Sequence, residues 1–233
     1  MHAMNRKAPA PIAPAAINSI QQTIKQRRAS SGIDPATLTD IYQEDVNMAI
    51  WQRTLPPSLT ATVAAFVASQ PHFQASMTVS PSTALGSIQE AFSDSALDEV
   101  SANIAELVDM FCCLFELERV GLRLTVLERA MCPKFHVDKV PCRLVTTFQG
   151  VATQWLHHQD VNRAKLGMAS IGLTDSESGI YQQQTDIQSL RCGDVALLKG
   201  ERWQGNENAG LVHRSPAIDS SESRLLLTLD FID

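Results

Sequence analysis

A basic excess is missing from this sequence. Lys and Arg total 19 against 25 Asp and Glu, a formal net charge of −6, whereas a nucleic-acid-binding surface needs clustered cations. An uninterrupted apolar run is missing too, so no segment reads as a membrane span. The opening MHAMNRKAPAPIAPAAINSIQQTIKQRRASS has no secretory apolar core, because proline and polar residues interrupt it. It holds five Lys or Arg, and no acid occurs before Asp34. That composition loosely resembles an organellar transit peptide, but a flexible Pro/Ala arm over residues 1–33 is the simpler expectation.

Cysteine pairing is a further absence. The five cysteines, at 112, 113, 132, 142 and 192, are odd in number and include an adjacent pair. With no secretory signal, they argue against a disulfide framework and for a reducing, cytoplasmic compartment. There is no Cys-x-x-Cys pair, no phosphate-loop glycine spacing and no internal repeat.

With 44% hydrophobic residues, the chain can bury a real core in one large domain over 34–233. Over 34–120 helix dominates. SLTATVAAFVAS (58–69) opens after Pro56-Pro57 and closes before Pro71. From Ser95 to Leu117 an apolar face recurs through Leu97, Val100, Ile104, Leu107, Val108, Phe111, Leu114 and Phe115. Cys112 and Cys113 flank that stripe as packing residues, and Gly121 stands where the chain would turn. VNMAIWQR (46–53) fits a strand or a helical turn. From 121 to 233 the pattern is β: LRLTVLERA (122–130), CRLVTTFQG (142–150), DVALLKG (194–200) and SRLLLTLDFI (223–232) read as strands. The expectation is an α+β chain, an antiparallel barrel or sandwich with a helical N-terminal part packed on it.

The span CPKFHVDKVPC (132–142) concentrates potential ligands. His136 and Asp138 are two apart, so on a strand or its end both face one way. His213, in GLVHRSPA beyond the DVALLKG strand, is the candidate third ligand. Two imidazoles and a carboxylate leave about half the coordination sphere open, which suits non-heme Fe(II). The same donors suit a catalytic zinc ion that activates water. Arg224, eleven residues after His213, would bring a guanidinium alongside to hold a carboxylate bidentately, with Arg143 as the rival anchor.

Other readings compete. Cys132, His136 and Cys142, with or without His213, could form a closed zinc site, although nine residues separate the thiolates. Cys132 or Cys142 could pair with His136 or His213 as a nucleophilic site, without a local signature for either thiol. His157-His158 cannot chelate from one strand and belongs in a solvated loop. Within the loop KGERWQGNENAG, Trp203 is a candidate pocket wall, as are Trp155 and Thr228 elsewhere. The plainest reading leaves a non-catalytic β-barrel binding module whose polar residues are simply hydrogen-bonded.

The order His-x-Asp, some seventy-five residues, His, eleven residues, Arg resembles the 2-oxoglutarate-dependent dioxygenases. That resemblance implies a double-stranded β-helix (jelly-roll, cupin-like) barrel, Fe(II), 2-oxoglutarate held by Arg224, and oxidation of a small-molecule or protein substrate. One departure weakens the co-substrate inference relative to the metal: many members have Ser or Thr two residues beyond the Arg, where Leu226 stands here, with Thr228 two further on. The longer strings VGLRLTVLERAMCPKFHVDKVPCRLVTTFQGVATQWL and GDVALLKGERWQGNENAGLVHRSPA, with RLLLTLDF behind them, resemble the bacterial family catalogued as domain of unknown function 1826. That likeness implies an association with metal homeostasis, iron or zinc, without choosing between them.

Overall fold

The computed structural model describes residues 26–232. Strand β1 (Arg28–Gly32) is followed by β2 (Val46–Trp51), helix α1 (Pro57–Ser69), β3 (Gln74–Val79), helices α2 (Ala84–Phe92) and α3 (Asp98–Phe115), and β4 (Val120–Leu127). The second half carries β5 (Cys142–Gln149), β6 (Gln154–Leu156), the single-turn α4 (Asp175–Ser178), β7 (Ile187–Ser189), β8 (Val195–Lys199), β9 (His213–Arg214) and β10 (Arg224–Asp230). Seven strands form one sheet in the order β1-β2-β8-β5-β10-β4-β3, and three short ones form another, β7-β6-β9. Among the described residues only β1 with β2 is parallel.

The two-residue period of a strand lets the large sheet serve two interiors. Along β10, Leu225, Leu227 and Leu229 join the main core under the helices, while Arg224, Leu226 and Thr228 line a cavity on the other face. Strand β8 divides likewise. Val195 and Leu197 face the helices, and Ala196 and Leu198 meet Met48, Ile50, Val145 and Trp155 between the sheets. Helix α3 buries Val100, Ile104, Leu107, Val108 and Phe111 in the main core, the stripe its periodicity predicts. Cys112 belongs to that stripe, and Cys113 is exposed.

Several expectations are corrected. Helix α3 turns at Glu116, which takes a left-handed backbone (φ 53°) and caps the carbonyls of Cys112 and Cys113. Gly121 comes too late for that role and lies inside β4, opposite Asp230 and Thr78. Segment 34–120 is not only helical, because VNMAIWQR resolves as β2 and the sheet also takes β3 from it. The arm expected over 1–33 falls outside the described residues as far as residue 25, but Arg28–Gly32 is strand. Neither sheet closes on itself, so the fold is a mixed α/β arrangement with a large, mostly antiparallel sheet rather than a closed barrel. No helix among the described residues is long and apolar enough to cross a membrane.

Candidate metal centre

Pro133 and Pro141 lack the N–H that a regular ladder needs, and residues 132–141, ahead of β5, form no strand but a single β-bridge. It joins His136 to His213 and is antiparallel. Each residue's N–H donates to the other's carbonyl at 3.0 Å. The bridge sets the imidazoles side by side, with ring centroids 4.6 Å apart. Asp138, two residues on, brings its carboxylate to both: Oδ1 is 3.7 Å from His136 Nε2 and Oδ2 is 3.5 Å from His213 Nε2. One ligand atom from each residue lies within 4.8 Å of the others.

The remaining ring nitrogens fix which atoms are free. His136 Nδ1 stands 2.9 Å from Lys134 O, and His213 Nδ1 3.3 Å from Leu211 O. A carbonyl only accepts, so each Nδ1 donates to the carbonyl behind it, which leaves each Nε2, the ring atom nearer the carboxylate, as the atom that could ligate a metal. Burial pushes the pKa of His213 down to about 4, with Asp138 opposing and His136 assisting, so the imidazole is neutral near pH 7, the form that ligates metals.

Arg143 holds the carboxylate in place. Its Nη1 donates to Asp138 Oδ2 at 2.8 Å, while Nε and Nη2 donate to Asp230 at 2.7 and 3.1 Å. Burial works against the guanidinium's charge, but the Asp230 hydrogen bonds and the Asp138 charge outweigh it and raise its pKa. Gly200 makes room for the same segment: a Cβ there would lie 2.8 Å from Asp138 O and closer still to Val140 O. Glu201 N–H donates to that Asp138 carbonyl at 3.0 Å.

Arg224 differs from Arg143 in having no acid partner among the described residues. It is 1% exposed, and its donors meet three hydroxyls: Thr153 at 2.8 Å, Thr147 at 3.1 and 3.3 Å, and Ser215 at 3.2 Å. Burial lowers its pKa to about 10, which still leaves a full, uncompensated positive charge at neutral pH. Arg224, Arg143, His136, His213 and Thr228 line one cavity of about 70 Å³. The donor set fits a metal ion with open positions, and the cavity beside it fits a carboxylate-bearing ligand.

Thus the structure brings His136, Asp138, His213, Arg143, Arg224 and Thr228 together. Other sequence candidates fall away. Trp155 lies in the inter-sheet cluster, opposite His213 in register, but does not line the cavity. Trp203 packs on Tyr42 (5.5 Å between centroids) and Phe115 (6.0 Å), with the main core, so it walls no part of the site. Cys132 is exposed at the cavity, whereas Cys142 is buried on the helix-facing side, where burial holds its thiol strongly protonated. Alternation sends Cys142 and Arg143 to opposite faces, which removes both the four-ligand zinc set and a Cys142 nucleophile. His157 and His158 are half-buried rather than solvated. His157 packs on Trp155 and His158 sits beside Arg163 Nη2 at 3.2 Å. Sequence reading missed Thr147, Thr153, Ser215 and Asp230. Strand alternation from Arg143 through Val145 could have flagged Thr147, but nothing local marks the others.

Comparison with known proteins places the chain in a family. Residues 32–230 match the family described as "Protein of unknown function (DUF1826)", and the chain belongs to it. No curated protein matches. Among solved structures, a dioxygenase for auxin oxidation in rice is similar at TM-score 0.48 and 12% identity, covering 89% of this chain and 83% of that one. Dioxygenase for auxin oxidation 1 from Arabidopsis thaliana, in complex with 2-oxoglutarate, is similar at 0.46 and 7%, covering 89% and 92%. A Pseudomonas putida prolyl-4-hydroxylase is similar at 0.42 and 12%, covering 84% and 96%. Likeness at these scores is too weak to transfer an activity.

Proposed function

We propose that this protein is a non-heme Fe(II) oxygenase of the 2-oxoglutarate-dependent kind, with His136, Asp138 and His213 as metal ligands and Arg224 as the anchor for the co-substrate carboxylate. One observation carries the reading: a buried guanidinium without an acid shares a cavity with a His/Asp/His cluster. That second charge is placed to hold a carboxylate next to the metal, as a 2-oxo acid co-substrate requires. Facing sheets with ligands at their mouth are also what a double-stranded β-helix offers, here with both sheets open. Five unpaired cysteines suit a reducing cytoplasm, where Fe(II) persists.

The chain's own groups have distinct tasks. His136 and His213 present Nε2 lone pairs held by backbone carbonyls behind them, and Arg143 keeps Asp138 turned toward both. When bound, Fe(II) supplies the redox chemistry that couples decarboxylation of a 2-oxo acid to oxidation of a substrate. Arg224 binds the distal carboxylate, and the hydroxyls of Thr147, Thr153 and Ser215 orient the guanidinium for it. Val145 and Leu226 on the cavity wall limit water.

Anaerobic protein with Fe(II) and 2-oxoglutarate should develop a metal-to-ligand charge-transfer band. H136A and H213A should lose metal, while R224Q should keep metal and lose the band. Full metal retention in both histidine variants would sink the triad. Tight zinc occupancy without any band would favour hydrolysis or zinc handling at the same residues.

A further inference from the structure

Strand β8 ends in a second unusual place, on its helix-facing side. Alternation puts Lys199 on the face of Val195 and Leu197. There a cavity of about 160 Å³ is lined by Arg27, Glu44, Lys199, Trp203, Gly205 and Asn206. Lys199 is 2% exposed, Arg27 9% and Asn206 1%. Buried cations almost always have a carboxylate partner.

These two have none among the described residues. Lys199 Nζ donates to Gln43 O at 3.1 Å and stands 4.7 Å from the Trp203 ring centroid. Arg27 donates from Nε to Asn206 Oδ1 at 2.9 Å, from Nη2 to Gly205 O at 3.0 Å and from Nη1 to Gln26 O at 3.1 Å. Glu44 lies on the cavity wall without pairing to either cation, and Asp45 is taken by Arg28 at 2.6 Å. After burial itself, the charge of Arg27 is what most lowers the Lys199 pKa, to about 8. Two like charges therefore face one space, and each keeps unused donors: an ammonium has three N–H groups and a guanidinium five.

We propose that this cavity is a binding site for a small oxyanion, a phosphate or carboxylate group held between Arg27 and Lys199. The guanidinium offers a planar fork and the ammonium a point charge, the pairing that oxyanions select. Both are held in advance: Arg27 is fastened to Asn206, whose side chain donates to Gly200 O at 3.0 Å, and Lys199 to Gln43. The site is independent of the metal.

Thermal unfolding of the full chain in chloride, inorganic phosphate or succinate, at matched ionic strength, tests it. Phosphate or succinate should raise Tm above chloride, and the more effective of the two names the group. K199M and R27Q should each weaken the apparent affinity roughly tenfold or more. K199R should retain the response. So should R224Q for phosphate, whereas any succinate response that comes from the other cavity is lost in it. Should K199M fail to fold, R27Q against the unaltered chain gives the same reading. The proposal is overturned by the absence of an anion-specific rise, by a phosphate rise that survives in R27Q, or by a rise that disappears only in R224Q.

Discussion

Arg143 and Arg224 show how far neighbours decide the work of one residue type. Both guanidiniums line the same cavity, yet two carboxylates occupy Arg143 and only hydroxyls touch Arg224. Arg143 is therefore placed to position Asp138, and under the proposed function Arg224 is the freer anchor for a carboxylate. Replacing Arg143 with glutamine should lower metal affinity about 10- to 100-fold, as loss of a group that orients a ligand does. Titration of Fe(II) or Zn(II) into R143Q measures this directly, and an affinity equal to the unaltered protein would leave Arg143 no role at Asp138. His-x-Asp was readable as a facing pair. That an Asp230 completes the hold, eighty-seven residues from Arg143, was not.

Helix α3 and its exit illustrate the next scale. Its apolar stripe was legible because a 3.6-residue period is local to the segment. The exit was not, because a left-handed residue is usually glycine, and Glu116 takes that conformation at φ 53° without being one. A non-glycine residue there is strained by about 1 kcal/mol. E116G should therefore raise stability by a comparable amount, about 1 kcal/mol, read from urea unfolding. An unchanged or lower stability would mean that Glu116 makes contacts worth more than its strain. Strands β4, β5, β8 and β10 were legible too, β4 from alternation and the others from apolar runs bounded by turn residues. Strand β1 was not, since RASSG carries no apolar alternation and its pairing with β2 comes from packing.

At the scale of the whole molecule, acid stability follows from buried imidazoles. Burial first, then the charges of Arg163 and Arg27, depress the His158 pKa to about 4. In the window between that value and the ordinary histidine range near 6.5, the unfolded chain binds a proton that the folded chain refuses. Stability thus falls as pH drops through that window, and His213 acts in the same direction. H158Q should lose less stability than the unaltered chain when unfolding is compared at about pH 7 and about pH 5. Equal losses in the two proteins would discharge His158 from this role. Long-range packing also moved Trp203 from the metal cavity, where it was expected, to an aromatic group with Tyr42 and Phe115 beside Lys199.

The sequence by itself determined the apolar stripe of α3, the two sides of β4, the family, and the candidates His136, Asp138 and His213 with Arg224 or Arg143 beside them. Each of those rests on spacing within a segment or on side-chain chemistry that survives any arrangement of segments. Tertiary structure alone decided that the sheets stay open, that Gly200 admits the Asp138 backbone, and that Thr153 reaches Arg224 across seventy-one residues. It alone brought Arg27 to Lys199. Period and spacing place a residue on a face, but only packing chooses which distant group stands opposite, and that choice sets whether a buried charge is paired or left for a ligand.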